Sequence, residues 1–476
     1  MKKRLIGGFL AVLMLVLTAC SPVTVEEPAP TYRDADGFQR FLEEIQPSTQ
    51  SWTEQEKEQF MSWLQPEQIS QNFTEAEIAD FLVRETEVPD TVTVQQAAED
   101  VRAAFELLSG CHGGYFYFGG DEVFHPIRDG ILEKLETMGT EISTRDLWQL
   151  LWDALSPVVV DQHFFIATDD PDTYVNDRPY TQYTWYVPNL YFDDPSGVNS
   201  KYVKHTIGPD GAITYCLATV GFEEEVLPDT MEIEGVERNL TWVKMNPNWT
   251  DISGDASIYS RDVVGARKIP VLINYSLSGN PVKLEEFVAS AAEWRKEPLF
   301  IIDLRGNGGG NDNYSSRWMA GFIGTPVSYK YMWAQKCSSV LLGAWEMIGF
   351  YDEGIKDNLN GWRGLPSSEA GAWETENTIF VMVDQFTGSA AESFIAELTL
   401  GKRVVLVGSN TRGGLNFGNV IALYLPNSEI QIRLGSSISF RDSLENDEGV
   451  GYYPDLWVTP GESLLSILRL CKYYGL

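Results

Sequence analysis

The sequence is poor in the residues that build metal sites and disulfide frameworks. Its 476 residues include only five cysteines and four histidines. The cysteines are widely spaced and form no Cys-x-x-Cys pair, which argues against both a disulfide framework and a zinc site. There is no His-Glu-x-x-His sequence, which argues against a zinc peptidase of that type. We therefore expect no metal and no cofactor, and mostly free, buried thiols.

Positive charge and nucleotide-binding motifs are also scarce. The chain has 35 basic and 68 acidic residues, a formal net charge of −33, which disfavours nucleic acid as a partner. The glycine-rich loop at residues 306–310 does not fit Gly-x-Gly-x-x-Gly, because Asn311 stands where the last glycine is needed, and it lacks the lysine of a phosphate-binding loop. Such a loop can instead present backbone N–H groups to a developing oxyanion.

No long apolar run is present, but the N-terminus has the pattern of an export signal. Residues 2–4 are basic, and Leu5–Leu17 is apolar but too short to span a membrane comfortably. Leu17-Thr18-Ala19-Cys20 resembles the lipobox of bacterial lipoproteins. That resemblance implies cleavage before Cys20, lipid attachment to its thiol, and anchoring at the extracytoplasmic face of a bacterial cell membrane.

Changes in composition and periodicity divide the chain into six segments. They are a signal peptide (1–19), a linker (20–33), a helical lead-in module (34–92), a second helical part (93–164), a β-rich insert (165–268) and an α/β core (269–476). Thr53 and Thr74 each begin a capping-box pattern, which predicts a helix start. The β-rich insert carries no recognisable motif, and a role in peptide recognition stays open.

The segment 378–414 predicts a strand, a helix and a second strand. Residues 379–383 and 404–407 are short apolar runs, and residues 389–400 have helical spacing. Two strands joined by a helix lie parallel, and chemistry in such sheets gathers at the carboxyl ends of the strands. Ser389 lies at that corner.

Ser389 allows two interpretations. Ser389-Ala-Ala-Glu392 fits a capping box, in which serine covers a backbone N–H and glutamate reaches back. A nucleophilic serine would instead need a base, which histidine usually supplies. His163 lies two residues after Asp161 within an otherwise apolar, strand-like run. No Gly-x-Ser-x-Gly elbow is present, which argues against an α/β-hydrolase.

Four motifs in order resemble those of the C-terminal processing, or tail-specific, serine peptidases. They are Ile301–Gly310, Gly388–Glu392, Val407–Gly414 and Glu448–Asp455. The resemblance extends over roughly residues 93–458. It implies a ClpP/crotonase-like α/β core with a parallel sheet, an N-terminal helical region and a β-rich insert. It also implies a serine endopeptidase that acts on exported proteins or peptides.

One departure indicates which branch of the family is closer. The Ser–Lys branch has its lysine where this chain has Gly414, and Lys402 lies too early to match. The tricorn-core-like branch instead takes a histidine from the N-terminal part, at a place that matches His163.

The resemblance then assigns roles to the remaining residues. Ser389 attacks the carbonyl, His163 accepts the proton, and Glu448 helps to orient the base, with Asp161 as a competitor for that third role. The backbone N–H groups of Gly309 and Ala390 form the oxyanion hole. Asp303 and Arg305 are expected to shape the loop rather than to act in catalysis.

An alternative function is a non-catalytic ligand- or peptide-binding lipoprotein on the same fold. The tail-specific family includes retinoid-binding relatives, and the aromatic-rich segment 329–373 would then line an apolar groove. The same aromatic residues would equally serve as core. The combination of Ser389, His163 and Glu448 favours the enzyme, since a binding protein has no need of all three. The oligomeric state is left open.

Overall fold

The computed structural model describes most of the chain after the N-terminal segment. The described residues are 35–46, 52–64, 73–84, 87–173, 181–223, 226–246, 259–327, 331–347, 353–364, 372–441 and 443–476. The predicted signal peptide, the linker and Cys20 lie outside these ranges and stay predictions. None of the helices in the ranges given is long and apolar enough to cross a membrane.

The helices and strands of the described residues are numbered in chain order. The helices are α1 (Ala35–Glu44), α2 (Glu54–Ser62), α3 (Glu75–Leu82), α4 (Val94–Cys111), α5 (Asp121–Glu136), α6 (Thr144–Leu155), α7 (Pro281–Trp294), α8 (Asn313–Ile323), α9 (Ser339–Met347), α10 (Glu353–Asp357), α11 (Ala390–Leu398) and α12 (Ser463–Tyr474). The strands are β1 (Thr91–Thr93), β2 (Glu141–Ser143), β3 (Phe165–Ala167), β4 (Tyr183–Tyr186), β5 (Val203–Ile207), β6 (Ile213–Gly221), β7 (Thr230–Ile233), β8 (Val236–Asn239), β9 (Val243–Lys244), β10 (Tyr259–Val264), β11 (Ile269–Asn274), β12 (Leu299–Asp303), β13 (Met332–Cys337), β14 (Gly361–Arg363), β15 (Thr378–Val383), β16 (Val404–Gly408), β17 (Phe417–Tyr424), β18 (Gln431–Phe440) and β19 (Leu456–Trp457).

A six-stranded sheet forms the centre of the C-terminal half, in the order β10-β11-β12-β15-β16-β19. Strands β11 to β19 pair in parallel, and β10 is an antiparallel edge. The predicted parallel β15–α11–β16 unit is therefore present, and its strands are buried along their whole length. A mixed α/β fold with a parallel sheet is thus confirmed.

Helices cover both faces of this sheet. Alternate residues of β15 point to opposite sides, so Val381 packs with α7, α8 and α11, while Phe380 packs with α1 and α12. Such two-sided burial explains why the strands read as continuous apolar runs. One edge of the resulting three layers, at the carboxyl ends of β12 and β15, carries the glycine-rich loop and the turn at Ser389.

A second, antiparallel sheet in the order β14-β13-β18-β17 lies under helices α4, α5 and α6. Short β3 pairs with β18 and belongs to this sheet. The strand-like run around His163 is therefore mostly a turn, and the strand begins only at Phe165. The residues just after α4 lie on the same sheet, because Gly113 donates its N–H to the Gly435 oxygen of β18.

Two strands within the predicted β-rich insert (165–268) belong to other sheets, since β3 pairs with β18 and β10 pairs with β11. The remaining strands form a four-stranded sheet, β5-β6-β4-β9, with the hairpin β7–β8 beside it. It packs on the end of the core, where the Thr206 hydroxyl donates to the Trp457 oxygen at 2.6 Å. The lead-in helices also pack on the main body: Phe38 of α1 lies against Phe380, and Phe60 of α2 against Phe440.

Local sequence signals explain several helix starts and the state of the thiols. Both predicted capping boxes, at Thr53 and Thr74, are formed. Asn280 caps α7, whose first residue is a proline that needs no hydrogen-bond acceptor. The cysteines of the described residues are buried and form no disulfide, as expected: Cys111, Cys216, Cys337 and Cys471.

Candidate active site

Ser389 lies in a strained turn between β15 and α11. Its backbone has φ 56° and ψ −123°, a combination that residues other than glycine rarely adopt. Such a strand-to-helix turn lifts a side chain out of the sheet edge, although this chain lacks the Gly-x-Ser-x-Gly sequence that usually signals it. The preceding turn is fixed by the buried Asp384, whose Oδ1 accepts the N–H groups of Gly306, Phe386 and Thr387 at 3.0 Å each.

Glu392 stabilises the turn at Ser389 through hydrogen bonds. Its fully buried carboxylate accepts the N–H of Ser389 at 2.8 Å, which is the reach-back half of the predicted capping box. It also accepts the Thr411 hydroxyl at 2.6 Å and the N–H groups of Gly413 and Gly414 at 2.9 Å. Four donors satisfy the buried carboxylate, and they tie α11 to the loop that follows β16.

Gly414 lies between the turn at Ser389 and His163. A Cβ added to Gly414 would stand 3.1 Å from Cε1 and 3.6 Å from Nε2 of His163, and 3.6 Å from the backbone nitrogen of Ser389. The imidazole therefore occupies the space that a side chain at residue 414 would enter. The structure brings Ser389 and His163 together around this one point, although they are 226 positions apart in the sequence (389 − 163).

Asp161 faces the other side of the His163 ring. Asp161 is fully buried, and its Oδ1 accepts the backbone N–H of His163 at 2.6 Å and lies 3.6 Å from Nδ1 of the ring. Its Oδ2 accepts a hydrogen bond from Nε2 of the buried His112 at 2.9 Å. Burial by itself would raise the pKa of Asp161, but the interactions with His112 and His163 outweigh it and hold the pKa below its usual range.

Glu448 is the second carboxyl group at this place and has the opposite electrostatic character. It accepts the N–H of Gln162 at 2.6 Å and that of Asn416 at 2.7 Å. Burial and the neighbouring charge of Asp161 raise the pKa of Glu448 well above its ordinary value of 4.5. Two buried carboxyl groups side by side do not both ionise readily, and the two opposite pKa shifts favour ionisation of Asp161 over that of Glu448.

Asp161, His163 and Glu448 are also the residues best placed to hold a metal ion. One ligand atom of each lies within 4.8 Å of the others. However, both oxygens of Glu448 already accept backbone N–H groups, and both oxygens of Asp161 are engaged as well. The carboxylate oxygens of Asp161 and Glu448 are thus already occupied by hydrogen-bond donors of the protein.

The predicted oxyanion hole is assembled in part. Ala390 is the first residue of α11, so the helix leaves its N–H without an internal acceptor, at the positive end of the helix dipole. A Cβ on Gly309 would stand 2.8 Å from the backbone nitrogen of Ala390 and 2.8 Å from Cβ of Ser389. Gly309 therefore lies against the side chain of Ser389. The N–H of Gly309, however, donates to Oδ1 of Asn307 at 2.9 Å.

Lys402, Asp303 and Arg305, which we expect to have no catalytic role, form ion pairs. Lys402 follows the far end of α11, ~13 Å along the helix from Ser389, and its exposed amine pairs with Glu374 at 2.5 Å. Arg305 forms a two-pronged ion pair with Asp303 and also donates to the Pro460 oxygen at 2.7 Å, which fixes the glycine-rich loop.

Two residues of the site were not assigned a site role from the sequence. Glu392 was seen only as half of a capping box, because its contacts to residues 411–414 require the fold. No site role follows for His112 from the sequence alone. Its signal was the two glycines that follow it: a Cβ on Gly113 would stand 2.4 Å from the backbone of Ser437, and one on Gly114 would stand 2.4 Å from Phe417.

A family model matches the part of the chain that contains Ser389. Residues 275–458 match the model of peptidase family S41, and both the glycine-rich loop and Ser389 lie inside that range. The match covers the C-terminal part of the chain and supports a serine peptidase, a hydrolase, as the enzyme class. The match supports the resemblance to C-terminal processing peptidases. A search of curated proteins found no match.

Several solved structures have similar folds at low sequence identity. Mature CPAF is 13% identical, with 80% of this chain and 95% of that chain covered and a TM-score of 0.43. A putative peptidase from Parabacteroides merdae is 16% identical, with 79% and 92% covered and a TM-score of 0.40. The photosystem II D1 C-terminal processing protease is 12% identical, with 77% and 93% covered and a TM-score of 0.36. These scores are low, so no functional conclusion rests on them.

Proposed function

We propose that this chain is a serine endopeptidase that cleaves exported proteins or peptides, with Ser389 as nucleophile and His163 as general base. The observation that carries the proposal is the shared point above Gly414, which Nε2 of His163 and the backbone of Ser389 both approach within 3.6 Å. A histidine beside a serine in a strained turn is the arrangement that activates a hydroxyl for attack on a carbonyl.

In the proposed reaction, Ser389 Oγ attacks the scissile carbonyl while His163 Nε2 takes the hydroxyl proton. The ionised Asp161 on the Nδ1 side stabilises the imidazolium that forms. Glu448 orients the same side through its hydrogen bonds to the backbone around His163. The proton then passes from His163 to the leaving amine, and water releases the acyl group by the same steps.

Two backbone N–H groups stabilise the oxyanion in this proposal. Ala390 offers its N–H at the start of α11, and Gly309 provides the second donor. Because Gly309 currently donates to Asn307, substrate has to replace that acceptor with the oxyanion. The exchange costs little, since one hydrogen bond to a neutral oxygen is replaced by one to a developing charge.

A fluorophosphonate probe tests the nucleophile and base directly. We expect the wild-type protein to be labelled and to cut an unfolded protein, and Ser389→Ala to lose both activities. His163→Ala should reduce labelling by on the order of 10²–10⁴-fold. Lys402→Ala is the matched control and should keep full activity, because its side chain is on the surface.

Three results would argue against parts of this proposal. Absence of both labelling and cleavage in a folded wild-type protein would favour the alternative of a ligand- or peptide-binding protein. Labelling of Ser389→Ala would exclude that serine as the nucleophile. Loss of activity in a folded Lys402→Ala variant would favour a Ser–Lys mechanism.

The membrane anchor is a separate part of the proposal. It rests on the lipobox at Cys20 and on the apolar run before it, and it would hold the enzyme at the extracytoplasmic face of the cell membrane. Replacing Cys20 with alanine should release the protein from the membrane fraction when it is expressed in a bacterium. Continued membrane association of that variant would remove the lipid anchor from the proposal.

A further inference from the structure

His112 lies immediately after α4, enclosed by aromatic side chains. Its ring is buried, with Phe417, Phe118 and Phe164 at centroid distances of 5.4, 5.8 and 6.3 Å. A polar ring in such an apolar enclosure is costly unless both of its nitrogens are hydrogen-bonded.

Both nitrogens of His112 do have partners, and the partners determine where its hydrogen lies. The backbone N–H of Gly114 donates to Nδ1 at 2.9 Å, so Nδ1 is an acceptor and carries no hydrogen. Nε2 therefore carries it and donates to Oδ2 of Asp161 at 2.9 Å. His112 is thus a fixed donor aimed at the Asp161 carboxylate.

This contact fixes the whole carboxylate of Asp161. With Oδ2 held by His112, Oδ1 is left facing His163, where it accepts the backbone N–H at 2.6 Å and lies 3.6 Å from Nδ1. A donor on Oδ2 also favours the ionised form of the group. His112 therefore sets both the orientation and the charge of Asp161, although its ring nitrogens make no contact with His163.

We propose that His112 is a positioning residue of the peptidase reaction, which holds Asp161 ionised and aimed at Nδ1 of His163. The inference rests on the proposed function and deepens it, because it makes Asp161 rather than Glu448 the charged partner of the base. His112 does not touch the substrate and transfers no proton; it acts only through Asp161.

Two substitutions separate the two hydrogen bonds of His112. Glutamine places an N–H₂ group near the position of Nε2 and so keeps a donor for Asp161, while it loses the acceptor for Gly114. Asparagine places an oxygen near Nδ1 and keeps the acceptor for Gly114, while it loses the donor to Asp161. His112→Gln and His112→Asn therefore each remove one bond from the same buried site.

We expect His112→Asn to lower kcat by about 10- to 100-fold with little change in KM, the effect of losing one hydrogen bond to a charged group. His112→Gln should restore most of kcat. Thermal unfolding of both variants supplies the comparison, because a merely structural role predicts activity losses that follow the losses in stability. Equal kcat values for the two folded variants would overturn the inference.

Asp161→Asn is the second variant, which decides the matter if His112→Asn does not fold. It keeps the shape of the side chain but removes the charge, and kcat should fall by on the order of 10²–10⁴-fold. A folded Asp161→Asn variant with wild-type kcat would overturn the inference. So would a folded His112→Gln variant as inactive as Ser389→Ala.

The surface histidine His125, which lies 3.6 Å from Asp121, is the matched control. His125→Asn should leave kcat and KM at wild-type values.

Labelling of the wild type by the fluorophosphonate distinguishes failure of the proposed function from failure of the inference about His112. If the wild type is not labelled, the proposed function fails and the inference fails with it; if it is labelled and the two His112 variants are alike, only the inference fails.

Discussion

The two sides of the candidate active site are built in different ways. The nucleophile side is one continuous segment: β15, the turn at Ser389, α11 and β16 fold as a single βαβ unit, and Glu392 closes it with four hydrogen bonds. The base side is assembled from three distant parts of the chain, since His112, His163 and Glu448 meet only when the helical part packs on the second sheet. The first side holds its own shape, whereas the second depends on packing elsewhere.

The largest expected effect comes from breaking the closure of the nucleophile side. Glu392→Ala leaves several buried donors without an acceptor, so we expect a loss of about 3 kcal/mol or more in the free energy of unfolding and no fluorophosphonate labelling of Ser389. Denaturant unfolding and labelling measure the two effects.

Glu374 offers a matched control for that change, because it is an exposed glutamate whose side chain is 77% accessible. Glu374→Ala should behave like the wild type in both measurements. A stable and labelled Glu392→Ala variant would show that the turn at Ser389 does not depend on this carboxylate.

The contact between the two sides is tested at Gly414. Gly414→Ala places a methyl group 3.1 Å from Cε1 of His163, so the ring has to move away from Ser389. A misplacement of about 1 Å costs on the order of 10²-fold in kcat. The displacement needed here is only a few tenths of an ångström, so kcat should fall by about 3- to 10-fold, with stability little changed. Steady-state kinetics and thermal unfolding give the comparison.

Gly130→Ala in α5 is the control for a glycine with open space around it. No atom lies within 4 Å of the added Cβ there, so activity should be unchanged. Unaltered kcat in a folded Gly414→Ala variant would mean that His163 is not held where the proposed mechanism needs it.

The smallest effect concerns remote support for the base side. Lys336 is fully buried, and its amine donates at 2.5 Å to the Ser109 oxygen near the end of α4, three residues before His112. Burial lowers the pKa of Lys336 from its ordinary value of 10.5 to about 7. Between these values the folded chain binds fewer protons than the unfolded chain, so the contribution of Lys336 to stability increases as the pH rises.

Lys336→Met removes this dependence. Its stability relative to the wild type should therefore be greatest near pH 7 and decrease towards pH 10, by at most about 1.4 kcal/mol per pH unit. Unfolding at a series of pH values measures the difference, with the exposed Lys283→Met as control. A difference that stays constant over this range would show that Lys336 remains protonated in the folded protein.

The same contrast explains what could be predicted from the sequence. The β15–α11–β16 unit was predictable because its signals are local: apolar runs, helical spacing and a glycine stop. His163 was found only through a family resemblance and its unusual place in an apolar run. The hydrogen bonds of Asp161 to His112, and of Gly309 to Asn307, depend on side-chain directions and long-range packing, which sequence periodicity does not encode.

Gly414 also limits how one kind of base could be exchanged for another. A side chain at this position and the ring of His163 compete for one volume, so a lysine base here and a histidine base there exclude each other. A lineage that exchanged one mechanism for the other would pass through a form with both groups in collision or with neither present. Under the proposed mechanism, an exchange of the histidine base for a lysine base therefore needs substitutions at both Gly414 and His163.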